Sequence, residues 1–387
     1  MTATAEDEII AGEVTRLLQQ LVRAPSPNPP GDEADAQRVV REYLDGIHGV
    51  SVEEFERASS RPIIVGRLDT GRPGPTVVLS GHIDTVPVGD GWTRDPFGGV
   101  IEDGNLYGRG AADMKGGVAA ILVALRRLAA RCDELTGGTL ELHIVPDEEP
   151  GGELGTAVLL AEGKIKAHAA IVAEPSELAV FRAQKGNIFA AIRIAGRAAH
   201  GSMPEKGVNA ITAAARLILD IEEGLAPTVR VHTHQLLGAS SVNVGTIHGG
   251  RRTNMVPDEC IVTVDRRLMP DESADVAMRE LEEFVGSRGV VSLEAAGAAF
   301  DTPAGHWLVE AATDAVERVL GQPAVIGGLI GSSDARYYAQ GAGIPTIILG
   351  PGAMTQAHVA DEHVPTRELP LAVQIYETLA EALLARA

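Results

Sequence analysis

Apolar residues recur at helical spacing over residues 8–21, at Ile9, Ile10, Val14, Leu17, Leu18 and Leu21. Residues 25–32, PSPNPPGD, end that stripe. A second helix is predicted through Val39, Val40 and Leu44. Short β-branched runs follow at 63–65 and 76–80 (TVVLS). A helical pattern then spans 114–131, with Val118, Ile121, Leu122, Leu125 and Leu128 on one side, and strands are predicted at 140–145 and 169–173. Strands alternating with helices point to an α/β layer on a mostly parallel sheet with helices on both faces.

After Gln184 the texture changes. Residues 187–195 alternate as a half-exposed strand does, and 209–221 read as a helix. Strands at 241–247 and 260–268, a helix at 274–285 and a strand at 290–294 complete the order β-α-β-β-α-β, that of a ferredoxin-like α+β sandwich. The first texture returns after about residue 298, with a helix at 307–320, a strand at 345–349 and a last helix at 369–384. The expected organisation is one α/β domain, residues 1–184 and 299–387, interrupted by a smaller α+β domain, residues 185–298.

Charge narrows the classes of partner. The chain of 387 residues carries 33 Lys+Arg against 53 Asp+Glu, a formal net charge of -20, which argues against nucleic acid or an anionic membrane surface. An apolar fraction of 45% excludes a disordered chain, and aromatics at 3% make the core aliphatic. The two cysteines, Cys132 and Cys260, form no disulfide framework, so a reducing compartment is expected. The acidic N-terminal segment does not read as a signal peptide, and no run approaches the ~18 continuous apolar residues of a membrane span. These features lead to the expectation of a soluble, cytoplasmic protein.

The polar residues that could carry chemistry stand mostly just past predicted strands, where open α/β sheets place their sites. His82 and Asp84 follow the strand at 76–80, two apart and so on one face; a carboxylate there can fix an imidazole tautomer. Asp113 lies at the mouth of the helix at 114–131, where it is either an N-cap or a carboxylate with both oxygens free to bridge two metals. Asp147, Glu148 and Glu149 emerge from an apolar strand; adjacent acids face different ways, so one could ligate a metal while another moves protons. Glu174 follows the strand at 169–173, and His358 lies in the C-terminal loop. A mixed N/O donor set suits zinc, and also manganese or cobalt. There is no G-x-S-x-G, P-loop or zinc-finger cysteine pair. His232 and His234 sit in a polar stretch, and His363 reads as a loop cap.

The segments SGHIDTVPVGDGW, YGRGAADMKGG, PDEEPGGELGT, VAEP and AHVADEHVP resemble, in order, the motifs of the di-zinc amidohydrolase and peptidase family. That family includes acetylornithine deacetylase, succinyl-diaminopimelate desuccinylase, aminoacylase and glutamate carboxypeptidase. The resemblance implies two divalent metals, zinc first and cobalt or manganese as substitutes. His82, Asp113 and Glu174 would hold one, and Asp113, Glu149 and His358 the other. It implies Asp84 as the carboxylate orienting His82, Glu148 as general base, and a cis Asp113–Met114 bond. The inserted domain resembles the family's lid and dimerisation domain, in which His200 would reach the neighbouring subunit's site. Asn254 and Arg267 would bind a substrate carboxylate or the oxyanion, with Arg266 an alternative to Arg267. Gly331 and Ser332 would meet the substrate's other end.

The expected activity is therefore hydrolysis of the amide bond of an N-acyl amino acid by a homodimer. Glu174, where Asp would resemble dipeptidases and aminopeptidases, favours the deacylase and carboxypeptidase branch. A metallo-carboxypeptidase or dipeptidase acting on a short peptide is the alternative, and a non-catalytic metal or amino-acid binding protein a third.

Overall fold

The computed structural model describes residues 4–386. The chain forms two compact units. The first runs to Arg182 and resumes over Thr302–Gly328 and from Ser333 onward; the second comprises Ala183–Asp301 and Leu329–Ser332.

The sheet of the first unit has the spatial order Val50–Glu56, Pro62–Asp69, Thr139–Val145, Thr76–His82, Ala169–Val172, Thr346–Ile348, Val180–Gln184. Its middle is parallel: Thr76–His82 pairs in parallel with Thr139–Val145 on one side and Ala169–Val172 on the other, and Thr346–Ile348 continues beyond. The edges are antiparallel. The central strands are buried almost throughout, which requires cover on both faces and explains their continuous apolar runs. The edge strand Val50–Glu56, acidic and half-exposed, left no apolar run to read. A small antiparallel sheet of Val100–Glu102, Asn105–Tyr107 and His363–Pro365 was likewise unforeseen; its first two strands are three residues long and its third lies more than 250 residues further along the chain.

Helix Gly116–Ala130 is buried along nearly its whole length. Its first turn is pressed against the end of strand Ala169–Val172: a Cβ on Gly117 would lie 2.0 Å from the Ala173 carbonyl oxygen. Glycine there lets the helix tip and the strand end that precedes Glu174 meet.

The second unit is a four-stranded antiparallel sheet in the order Ser241–Gly249, Glu259–Leu268, Gly186–Ala195, Val290–Gly297. Helices Ala210–Asp220 and Ala274–Val285 contribute Leu217 and Leu281 to a core with Ile192, Ile194, Cys260, Val262 and Val264. That strand order is the ferredoxin-like one. Among the described residues no helix is long and apolar enough to cross a membrane.

One buried acid in the first unit makes its stability depend on pH. Glu33 is fully buried, its carboxyl oxygens take no hydrogen bond, and Arg61 Nε stands 3.5 Å from Oε2. Burial, reinforced by Asp84 and opposed by Arg61, pushes its pKa up to about 8. The folded chain therefore keeps a proton that the unfolded chain releases above the ordinary glutamate range, so stability falls as pH rises from about 4.5 to about 8. In metal-free protein, Glu33→Gln is expected to remove roughly 2–4 kcal/mol of that decline, read from urea unfolding at pH 5 and pH 8. An unchanged difference between the two pH values would place the titration elsewhere.

Candidate metal centre

The central parallel strands deliver acidic and imidazole groups to one end of the sheet. His82 closes strand Thr76–His82, Glu148 and Glu149 follow Thr139–Val145, Glu174 follows Ala169–Val172, and His358 lies in the loop after Thr346–Ile348. Asp113 joins them from residues 111–115, a helical turn broken by non-helical dihedrals at Asp113 and Met114 just before helix Gly116–Ala130. The Asp113–Met114 peptide is cis, as the motif resemblance implies.

Asp113 faces both imidazoles. Its Oδ1 is 3.2 Å from His82 Nε2 and its Oδ2 3.5 Å from His358 Nε2. No backbone N–H among the described residues donates to this carboxylate, so it is not the N-cap that its position also allowed. Glu149 Oε2 lies 3.0 Å from His358 Nε2, while its Oε1 accepts from Val86 N. Glu174 Oε1 and Glu148 Oε2 stand 3.8 and 3.9 Å from His82 Nε2. Donor atoms fall into two compact groups, His82 with Glu148 and Glu174, and Asp113 with Glu149 and His358, each within 4.8 Å. By distance alone Glu148 is as near His82 as Glu174 is.

Asp84 stands behind His82. The His82 Nδ1 lies 3.0 Å from the Asp84 carbonyl oxygen and 3.4 Å from Oδ1. The same carboxylate accepts the backbone N–H of Glu148 and of Glu149 and the side chain of Asn28. It thus ties the imidazole to the acidic loop.

The electrostatics call for cations. Asp113, Glu148, Glu149 and Glu174 find their ion-pair partners in the two imidazoles. Burial and the neighbouring carboxylates drive Glu148 and Glu174 well above the usual glutamate range, against the pull of His82. Burial alone would keep His82 neutral, yet hydrogen bonds to Asp113 and Asp84 raise its pKa well above the usual value. Asp113 and Glu149 push His358 up to about 10. Without metal, the cluster gathers protons to relieve like charge. Four carboxylates and two imidazoles converging in this way fit a pair of divalent ions, which would displace those protons.

The remaining predicted residues belong to the second unit. His200 forms an isolated β-bridge with Met255, and Gly201 N donates to the Asn254 carbonyl at 2.8 Å, which places His200 and Asn254 on adjoining, exposed loops. His200 Nδ1 lies 2.7 Å from Ser202 Oγ. The adjacent arginines are separated by the pleat of the strand. Arg266 is buried and ion-paired to Glu272 and Glu280. Arg267 is half-buried, 2.9 Å from Asp265. Gly331 and Ser332 are half-buried.

Several buried supports escaped the sequence reading. Asn28 donates to both Asp84 and Asp147, and Arg61 pairs with Asp147 while donating to Asn28. Asp334 accepts from Thr156, and Tyr337 and Arg336 donate to the Gly151 carbonyl under the acidic loop. Glu362 pairs with Arg109 beside Asp113. Arg109, Asp147 and Glu362 lie inside the motif segments, but each acts through a partner distant in the chain.

Fold and donor set define a metal-dependent hydrolase of amide bonds. The chain belongs to peptidase family M20/M25/M40, whose pattern it matches over residues 78–382. It superposes on an M20-family metallo-carboxypeptidase of Sulfolobus solfataricus with a TM-score of 0.84 at 19% identity, covering 97% of this chain and 100% of that one. The aminopeptidase PepT of Bacillus cereus gives 0.78 at 25% identity over 96% and 98% of the two chains. A dinuclear metal binding M20 peptidase of Bacillus subtilis gives 0.73 at 16% over 97% and 99%. Family and donor groups together support a centre for two divalent metals, and a peptidase family points to peptides or amino-acid derivatives as substrates.

Proposed function

We propose that the chain hydrolyses the amide bond of an N-acyl amino acid at a centre of two divalent ions, zinc first, with cobalt or manganese able to replace it. The observation that carries this reading is the placement of Asp113, with one oxygen toward each imidazole and Glu148 beside them. His82, Asp113 and Glu174 hold one ion; Asp113, Glu149 and His358 hold the other. Such ions supply Lewis acidity to a water and to the scissile carbonyl.

The chain's own groups do the rest. Asp84 fixes the proton of His82 on Nδ1 and leaves Nε2 free to bind a cation. Glu148 takes a proton from the attacking water on its carboxylate and delivers it to the leaving amine nitrogen. His200 donates to the oxyanion as charge develops there. Arg267 and Asn254 hold the substrate carboxylate, and Gly331 and Ser332 meet the acyl end. In this reading the inserted unit is a lid and dimerisation domain, and the enzyme a cytoplasmic homodimer.

A metallo-carboxypeptidase or dipeptidase is the second reading, because the half-buried Arg267 would hold a C-terminal carboxylate equally well. Metal-loaded enzyme should be offered N-acetyl, N-succinyl and N-carbamoyl amino acids beside dipeptides, with released amine as the readout. The expected result is a kcat/KM at least about tenfold higher for one N-acyl class, a difference of roughly 1.4 kcal/mol. A preference for dipeptides would establish the peptidase instead. Silence on every substrate with both ions bound would make the chain a binding protein.

A further inference from the structure

An aspartate at a helix mouth normally spends an oxygen on the orphan N–H groups of the first turn. Asp113 does not; it is the third residue of the turn Ala111–Lys115, which opens after Gly110. The N–H groups of Ala112 and Asp113 instead donate to one oxygen of Glu362, Oε1, at 3.0 and 3.1 Å. The other oxygen, Oε2, takes the Arg109 guanidinium at 2.6 Å, and Arg109 is anchored to the Val88 carbonyl. The Glu362 carbonyl accepts from Gly108 N at 2.9 Å. Glu362 and Arg109 are 1% and 2% exposed, so the grip is shielded from water. Glu362 is also four residues from His358, on the same loop. Next to it, Asp361 accepts from Thr93 and Arg94, and His363 pairs in a strand with Tyr107. One loop thus carries His358 and the carboxylate that anchors the backbone of Asp113.

We propose that Glu362 is a positioning residue of the metal centre: by accepting the backbone N–H groups of Ala112 and Asp113, it holds Asp113 with one oxygen toward each imidazole, from the loop that also carries His358. The inference rests on the di-metal reading above and concerns which residue sets up the bridge.

The test is cobalt binding to full-length, metal-free protein, followed by visible absorption and by stoichiometry. Wild type is expected to take up two Co2+. In Glu362→Ala, the backbone at Ala112 and Asp113 loses its anchor, which is expected to weaken uptake about 10- to 100-fold and to alter the cobalt band. Glu362→Asp keeps the charge opposite Arg109 but is one methylene short of the amides; it is expected to fold and to bind about tenfold more weakly. It decides the matter should Glu362→Ala fail to fold. Metal-free stability is measured by urea for each. A folded variant with wild-type affinity and spectrum, even at lowered stability, overturns the proposal, because Glu362 then only holds the loop. Failure of wild type itself to bind Co2+ overturns the di-metal reading instead.

Discussion

Asp113→Ala is expected to strip the centre of both ions while the metal-free chain stays folded. Each Asp113 oxygen addresses a different imidazole, so one substitution removes a donor from both positions. On the proposed ligand sets, what would remain is His82 with Glu174 on one side and His358 with Glu149 on the other, two protein donors each in place of three. Affinity should fall by about a hundredfold or more at both positions, beyond the loss typical of a residue that only orients a ligand. Metal content after dialysis against a fixed free-metal buffer is the direct measure. Retention of two tightly held ions would remove Asp113 from the bridge. The substitution should not unfold the protein, because the turn around residue 113 is capped by Glu362 rather than by the lost carboxylate.

Glu148→Gln separates proton transfer from metal binding. Distances do not distinguish Glu148 from Glu174 in their approach to His82. If Glu148 is the base, the amide keeps the shape of the site, both ions stay, and kcat falls by on the order of 10²–10⁴. If Glu148 is a ligand, metal content drops along with activity. Full turnover by Glu148→Gln would contradict the assignment of the base. Measuring kcat and metal content on the same sample distinguishes these results.

How much of this could be read along the chain follows from the range of the interactions. His82 and Asp84 were legible because an apolar strand announces its own end and two residues share a face. Glu148, Glu149 and Glu174 were legible on the same ground, as acids leaving core strands. Asp113 was ambiguous for a local reason: a helix mouth favours a capping aspartate whatever its chemistry. The structure resolves that ambiguity with a residue 249 positions away. Asn28 and Arg61 were invisible in the same way, and Asp147 showed as an acid but not its partners, since a buried hydrogen-bond chain linking positions 28, 61 and 147 has no periodicity. Of the adjacent arginines, the sequence offered both; the pleat buries Arg266 between two glutamates and leaves Arg267 half-exposed. Edge strand Val50–Glu56 was missed because its acids and half-burial imitate a loop.

The interruption of the first unit bears on how the protein is made. The chain leaves that unit at Arg182 and returns at Thr302, so His358 and the closing helix Glu368–Leu384 are synthesised after the whole inserted unit. Domains generally fold as units, the earlier ones first during translation. The insert can therefore mature while its host still lacks a sheet strand, a donor and a covering helix. The cluster of carboxylates and imidazoles is thus among the last features to be completed. On the di-metal reading, a nascent chain halted before residue 358 would have its carboxylates with only one of the two imidazoles, one donor short of the proposed centre.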